Sequence, residues 1–336
     1  MLNVTLYTRK ECKLCDEVKA ELAELQAKYP HRLVEVDIDT DAVLVAKYGV
    51  TIPVVEVGPY TLQAPITRQK LQMTIGAAFD RRNQLEQLED PEYKMRIKKG
   101  QTVTTGDRIS YWIARRYLLI LNLFMLFYVG LPFLAPTLMK LHVELPAQVI
   151  YRMYKPFCHQ FGFRSFFLYG EQAFYPLAEA GLPGVKTFEE ATGIANLDDP
   201  YSFTRFDARN YIGNETVGYK VALCERDSAI YLAILGFGIV FGLTGRRFKS
   251  VHWLLWLLIG IAPIGLDGFS QLFSQFNWPW LASLIPYRES TPYLRVLTGA
   301  LFGLMTAWFA YPNIEESMNE TRQYYVKKFA VKQASE

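Results

Sequence analysis

The sequence predicts an α/β head followed by an all-helical membrane body, and three observations carry that expectation. Residues 1–116 are polar and charged, and short β-type runs alternate there with helical periodicity. From Tyr117 onward come uncharged stretches long enough to cross a bilayer. A Cys-x-x-Cys pair, Cys12 and Cys15, stands where the first β-type run gives way to the first helical one. A length of 336 residues suits about two domains of roughly 150 residues each. The whole-chain composition, 51% hydrophobic and 21% charged, averages over these unlike parts. A formal net charge of +3 is too small to argue for nucleic acid, so basic residues are read by position, as orientation signals. The start, MLNVTLYTRKEC, lacks the charged-then-apolar pattern of a secretory signal, so the chain is expected to begin in the cytoplasm.

The head reads element by element. Residues 2–7 alternate and predict a strand, and 12–29 predict a helix with Val18, Leu22 and Leu25 on one face. Residues 33–38 form a second strand and 41–48 a short helix. The run TIPVVEV gives a third strand with Pro53 at its head, YTLQA a fourth, and 67–79 a closing helix. The order β-α-β-α-β-β-α, with Cys-x-x-Cys opening the first helix, is that of a thioredoxin-type fold.

The spacing of the cysteines has a chemical reading. Cys12 falls at a helix N-terminus, where free N–H groups and the macrodipole favour a thiolate. Arg9, Lys10 and Lys13 add positive charge nearby. Cys15 lies one turn further on, placed to resolve a mixed disulfide. Pro53, after Ile52, fits the position at which this fold carries a cis-proline. The competing readings are half a zinc site or two ordinary buried thiols. Zinc wants four ligands; the head has no third cysteine, and His31, in the loop before the second strand, is its only histidine. Strand, motif, helix and proline in this order favour redox chemistry. The segments YTRKECKLCDEVKAEL, VDIDTD and KYGVTIPVV resemble the small bacterial glutaredoxin-like family over residues 1–82. The resemblance implies Cys12 as nucleophile, Cys15 as resolving thiol and Pro53 as a wall of the substrate groove. QAPITRQKL stands where glutaredoxins carry a Gly-Gly and an acidic pair for glutathione, so the resemblance does not extend to that partner.

Residues 83–116 are expected to be a basic polar linker. Lys94, Arg96, Lys98, Lys99, Arg108, Arg115 and Arg116 precede an apolar run immediately, which marks a cytoplasmic juxtamembrane segment rather than a nucleic-acid site. The membrane domain, 117–312, has four expected spans: 117–138, 228–243, 251–266 and 294–311. The second is short and reaches full length if Ala222 and Leu223 extend it. GRRFKS between spans two and three, and Arg322, Lys327, Lys328 and Lys332 in a tail at 313–336, put both termini in the cytoplasm. Arg288 is the one exposed basic residue expected in the outer short loop. A fifth span at 147–169 would bury Arg152, Lys155, His159 and Arg164, which is costly in hydrocarbon. An interfacial or partly re-entrant helix pair is expected there instead, within a long extracytoplasmic loop at about 140–227.

This topology collects nine polar residues at the outer ends of the spans: Cys158, His159, Gln160, Cys224, Arg226, Asp227, Asp267, Gln271 and Arg295. They sit in PFCHQF, LCERDSAIY, LDGFSQ and LRVLTG. These motifs resemble a prokaryotic integral-membrane family marked by Cys-His-Gln, Cys-x-Arg, Asp-Gly-x-x-Gln and Arg-x-x-Thr-Gly, over about residues 117–312. That resemblance implies a location in the prokaryotic cytoplasmic membrane and assigns no activity. This chain departs from it by a polar insert at 174–220, expected to be a loop or small lobe. Three readings of the cluster stay open. One is a Cys158–Cys224 disulfide with an Asp267–Arg295 ion pair. Another is a metal site of Cys158, His159, Cys224 and Asp267, suited to zinc. The third is an organic or quinone site contacted by Arg295, Asp267 and Gln271. No cofactor is assigned. His142 and His252 are expected at the surface.

The two cysteine pairs then lie across about 30 Å of hydrocarbon with no sulfur between them, which argues against direct exchange. The functional expectation is a membrane-anchored thiol–disulfide oxidoreductase acting on protein or low-molecular-weight thiols. The alternative is a transporter or metal-binding membrane protein with the head as an accessory or regulatory module.

Overall fold

Seven mostly apolar residues at the N-terminus build the centre of the first sheet. The computed structural model describes residues 1–88, 91–92, 95, 99–100, 102–197, 202–275 and 287–335. The chain divides into two units, Met1–Arg116 with Glu316–Glu336, and Tyr117–Glu315. In the head unit, β1 (Leu2–Thr8) pairs in parallel with β2 (His31–Asp37) and antiparallel with β3 (Val54–Val57). β4 (Tyr60–Gln63) closes the edge, giving the order β2-β1-β3-β4. A parallel pair needs a crossover, and α1 (Lys13–Leu25) supplies it.

Alternation along the strands sends side chains to two faces. On one face Val4, Leu6, Val55 and Val57 meet Val18, Leu22 and Leu25 of α1 and Leu71 and Ile75 of α3 (Arg68–Gln87). On the other, Tyr7, Val36 and Val54 meet Leu44 and Tyr48 of α2 (Ala42–Tyr48), with Val326 and Ala330 packed against them. Each fully buried aliphatic side chain contributes about 1.5–3 kcal/mol. This is a thioredoxin-like α/β domain. α3 runs eight residues past the predicted end because DRRNQLEQ continues it with helix formers and an Arg82–Glu86 ion pair one turn apart. His31 opens β2 rather than lying in a loop; it is buried, with Nδ1 2.6 Å from the Tyr29 carbonyl.

Among the described residues, the expected linker and tail are largely helical. α4 (Thr105–Lys140) starts well before Tyr117, and the last helix of the chain, Pro292–Gln333, takes in most of the predicted tail. Within the head unit, Arg322 Nη1 donates to the Ala114 carbonyl at 2.9 Å, Lys328 pairs with Asp107 at 2.8 Å, and Lys327 pairs with Glu56 at 2.7 Å. Basic residues read as orientation signals are thus also structural partners. Lys94, Arg96 and Lys98 lie outside the described residues.

Among the described residues, four helices are long and apolar enough to cross a membrane: α4, then Glu225–Leu243 (α8), Trp253–Ser274 (α9, with a π-helical turn at Trp256–Ile261) and Pro292–Gln333 (α10). α10 packs closely on α8 through two glycines one turn apart. A Cβ at Gly299 would lie 2.6 Å from the Arg226 carbonyl oxygen, and one at Gly303 2.2 Å from that of Ile230. Small residues at i and i+4 permit this approach of two backbones.

Between α4 and α8 the structure departs from expectation. α5 (Glu144–Tyr154) is a single short helix, so 147–169 forms neither a fifth span nor a helix pair. β5 (Ser165–Leu168) follows and joins a sheet of order β5-β7-β6, with β6 at Gly213–Asn214 and β7 at Gly218–Cys224. Ala222 and Leu223 therefore belong to a buried strand and do not extend the second span; an apolar run beside an apolar helix does not reveal which it is by periodicity. Tyr175, Leu177, Phe188, Leu197, Ala208 and Val217 of the insert share a separate core with Phe163 and Phe167, which precede it. The insert also carries the short helices α6 (Phe188–Thr192) and α7 (Thr204–Asn210).

Candidate functional sites

In the head unit Cys12 and Cys15 are joined as a disulfide. β1 ends at Thr8, and Glu11, in the left-handed region at φ 61°, turns the chain into the helix. Cys12 is the N-cap of α1, and its sulfur accepts the Cys15 N–H at 3.3 Å. Cys15 is fully buried, while Cys12 is half-buried. The two sulfurs therefore differ in access to solvent. Of the cations expected beside it, Arg9 is engaged with Asp39 at 2.9 Å, and Lys10 and Lys13 are exposed. The Ile52–Pro53 peptide is cis and Pro53 is buried just ahead of β3; Ala64–Pro65 is a second cis bond that the sequence did not announce.

In the membrane unit the expected outer residues do come together. A cavity of about 290 Å³ is lined by Cys158, His159, Gln160, Cys224, Arg226, Asp227, Gln271 and Arg295, with Phe157, Phe161 and Arg164. Asp267 reaches the cavity indirectly, as the ion-pair partner of Arg226 at 2.5 Å. Local structure explains each placement. Cys224 ends β7 and caps α8, its sulfur accepting the Asp227 N–H at 3.4 Å. Cys158 follows α5, and its sulfur accepts N–H groups from Cys224 at 3.2 Å and Gln160 at 3.5 Å. Gln160, with φ 54° and a buried side chain, donates to the Tyr151 and Ala222 carbonyls at 2.9 Å each, which ties α5 to β7.

The two cysteines stand as free thiols. A hydrogen bond from the Cys224 thiol lowers the Cys158 pKa against the opposing effect of burial, and the same contact pushes Cys224 well above its usual range. Ligand atoms of Cys158, Cys224 and Asp227 lie within 4.8 Å of one another. The expected metal set differs: His159 is exposed and stacks on Phe161 at 5.7 Å, and Asp267 is engaged by Arg226 and Arg288. His159 also lines the cavity, but its ring nitrogens are not among the ligand atoms gathered around Cys158. Asp227, one turn beyond Cys224 on α8, converges instead.

The ion pairs also differ from expectation. Asp267 does not pair with Arg295; it binds Arg226, Arg288 at 2.8 Å and the Ser290 hydroxyl at 2.8 Å. Arg288 is thus a paired residue, not a free outer charge. Arg295, 3% exposed, lies between Glu225 and Glu289. Glu289 also accepts Arg164 Nε at 2.8 Å and Gln271 Nε2 at 2.7 Å. Burial pushes the Glu289 pKa up, but Arg164 and Arg295 outweigh it and hold the carboxyl below its usual value. Glu225 and Glu289 were absent from the predicted cluster. Glu225 adjoins Cys224 in LCERD and could have been found; nothing in the sequence around Glu289 marks it. Within β7, Lys220 is buried and donates to the Gln160 and Arg209 carbonyls at 2.8 and 2.6 Å. Burial first, then the charges of Lys155 and Arg209, lower its pKa to about 7.

Fold and sites together define a thioredoxin-like domain with a redox-type cysteine pair on a helical membrane protein. Comparison with protein families agrees: residues 3–78 match the glutaredoxin-like domain (DUF836), and residues 215–309 match a predicted membrane protein family (DUF2085). No curated protein and no solved structure gives a significant match.

Proposed function

We propose that the chain is a membrane-anchored thiol–disulfide oxidoreductase whose chemistry resides in Cys12 and Cys15. The observation that carries this reading is the disulfide between an accessible N-cap sulfur and a fully buried one a turn below it. In the reduced state the helix terminus favours a Cys12 thiolate. That thiolate attacks one sulfur of a substrate disulfide, forming a Cys12–substrate mixed disulfide and releasing the other substrate sulfur as a thiolate. Cys15, as thiolate, then attacks Cys12 Sγ; the second substrate thiol departs and the Cys12–Cys15 disulfide forms. Two electrons pass to the substrate, and an external dithiol restores the pair. Pro53, buried at the head of β3, is assigned to the wall of the substrate groove. Substrates are protein or low-molecular-weight disulfides. The basic residues flanking the spans support a cytoplasmic placement of both termini.

The test is catalysed reduction of insulin disulfides by dithiothreitol, using the full chain in lipid nanodiscs. Cys12→Ser should fall to the uncatalysed background, and Cys15→Ser should accumulate mixed disulfide through Cys12. Unchanged turnover by Cys12→Ser would remove the proposal.

A further inference from the structure

We propose that Cys158, Cys224 and Asp227 hold a thiophilic divalent cation, zinc foremost, with one coordination position open to the adjoining cavity. This site lies wholly in the membrane unit and does not depend on the chemistry of Cys12 and Cys15.

The three ligand atoms lie within 4.8 Å of one another. Zinc–sulfur bonds of about 2.3 Å and zinc–oxygen bonds of about 2.0–2.2 Å place tetrahedral ligands about 3.5–3.8 Å apart, so small side-chain rotations close the set. Two sulfurs and a carboxylate select a zinc-like ion over magnesium or calcium, which prefer all-oxygen shells.

The sulfurs are also prepared as ligands. Both accept backbone N–H groups, Cys158 from Gln160 and Cys224 and Cys224 from Asp227. Such bonds orient a thiolate and favour its charge, as outer-shell partners do around bound metals. The backbone after Cys158 is itself fixed by the Gln160 side chain across α5 and β7.

Charge points the same way. The neighbouring guanidinium groups have carboxylate partners already: Arg164 with Glu289, Arg226 and Arg288 with Asp267, Arg295 with Glu225 and Glu289. Two thiolates beside the Asp227 carboxylate would set three negative charges within 4.8 Å. Like charges at that separation oppose one another's ionisation, and a divalent cation relieves them directly. Three protein ligands with a fourth position facing a cavity of about 290 Å³ is the arrangement of zinc sites that admit water or a small ligand.

The test uses the full chain carrying Cys12→Ser and Cys15→Ser, so that head thiols contribute nothing. Zinc is supplied during purification in detergent, unbound metal is removed, and the retained zinc is measured by mass spectrometry. One zinc per chain is expected. Cys224→Ser and Asp227→Asn should each weaken retention by about tenfold or more. Cobalt in place of zinc should give a thiolate-to-cobalt charge-transfer band that Cys224→Ser reduces. Asp227→Asn keeps the side-chain shape and decides the question if Cys224→Ser does not fold. The proposal is overturned if the folded protein retains negligible zinc, if Asp227→Asn leaves retention unchanged, or if the zinc-supplied protein carries a Cys158–Cys224 disulfide.

Discussion

Replacing Glu289 by alanine should destabilise the membrane unit severely. Its carboxylate, 4% exposed, accepts Arg164 Nε and Nη2 at 2.8 and 2.9 Å, Gln271 at 2.7 Å and Gln275 at 3.1 Å, and also pairs with Arg295. The consequences differ by donor. The Arg164 side chain is 24% exposed and can recover water. Arg295, 3% exposed, keeps Glu225 at 3.3 Å but loses its other carboxylate. Removing one partner of a buried ion pair costs about 3–5 kcal/mol, because the remaining charge is stranded rather than because the pair itself is strongly favourable. For a unit of roughly 200 residues that is about 10 °C in Tm. Thermal unfolding of detergent-solubilised protein, followed by tryptophan fluorescence, reads it. Glu289→Gln, which keeps the shape and an acceptor, should cost less than the alanine variant. Arg164→Met combined with Glu289→Ala should cost less than the sum of the two alone. A Glu289→Ala protein within about 1 kcal/mol of the parent would refute the network as a stabilising feature.

Since Lys220 has a folded-state pKa lowered to about 7, the unfolded chain holds more protons between there and its usual value of 10.5. Stability should therefore rise as pH increases from about 7 to about 10, and Lys220→Met should flatten that rise; an identical pH profile in the variant would contradict it. Glu289, with its pKa lowered, should support folding fully above its usual 4.5 and lose that contribution only as pH falls through the depressed value. Gly303→Ala should cost about 1–3 kcal/mol, since its Cβ would sit 2.2 Å from a backbone oxygen that cannot rotate away. Urea or heat denaturation showing no loss would mean that α8 and α10 separate without penalty.

The head was legible because its signals are local. Strand alternation, the Val18–Leu22–Leu25 face and a cysteine at a helix start are written within short windows, and each appears where expected. Four apolar helices were legible for the same reason. What the sequence hid was pairing between distant segments. β5 and β7 find one another across some fifty residues, and GYKVALC reads equally well as the start of a span. The tail's basic residues look like orientation signals until Lys328 is seen against Asp107 and Lys327 against Glu56. Topology brought Cys158, Cys224 and Arg295 to one cavity, but not their partners. Glu289 reaches Arg295 through a loop conformation, and Asp227 replaces Asp267 beside the sulfurs through the helical phase of α8.

Redox titration reads whether Cys12 and Cys15 form a working redox couple on a membrane-embedded chain. The chain in nanodiscs is equilibrated in thiol–disulfide buffers of graded potential, trapped by alkylation and read by peptide mass spectrometry. One reversible two-electron transition is expected at these two cysteines, above the potential of about −300 mV below which structural disulfides lie. A Cys12–Cys15 bond that resists reduction beyond that potential would mark it as a structural clasp, and the proposed activity would fall with it.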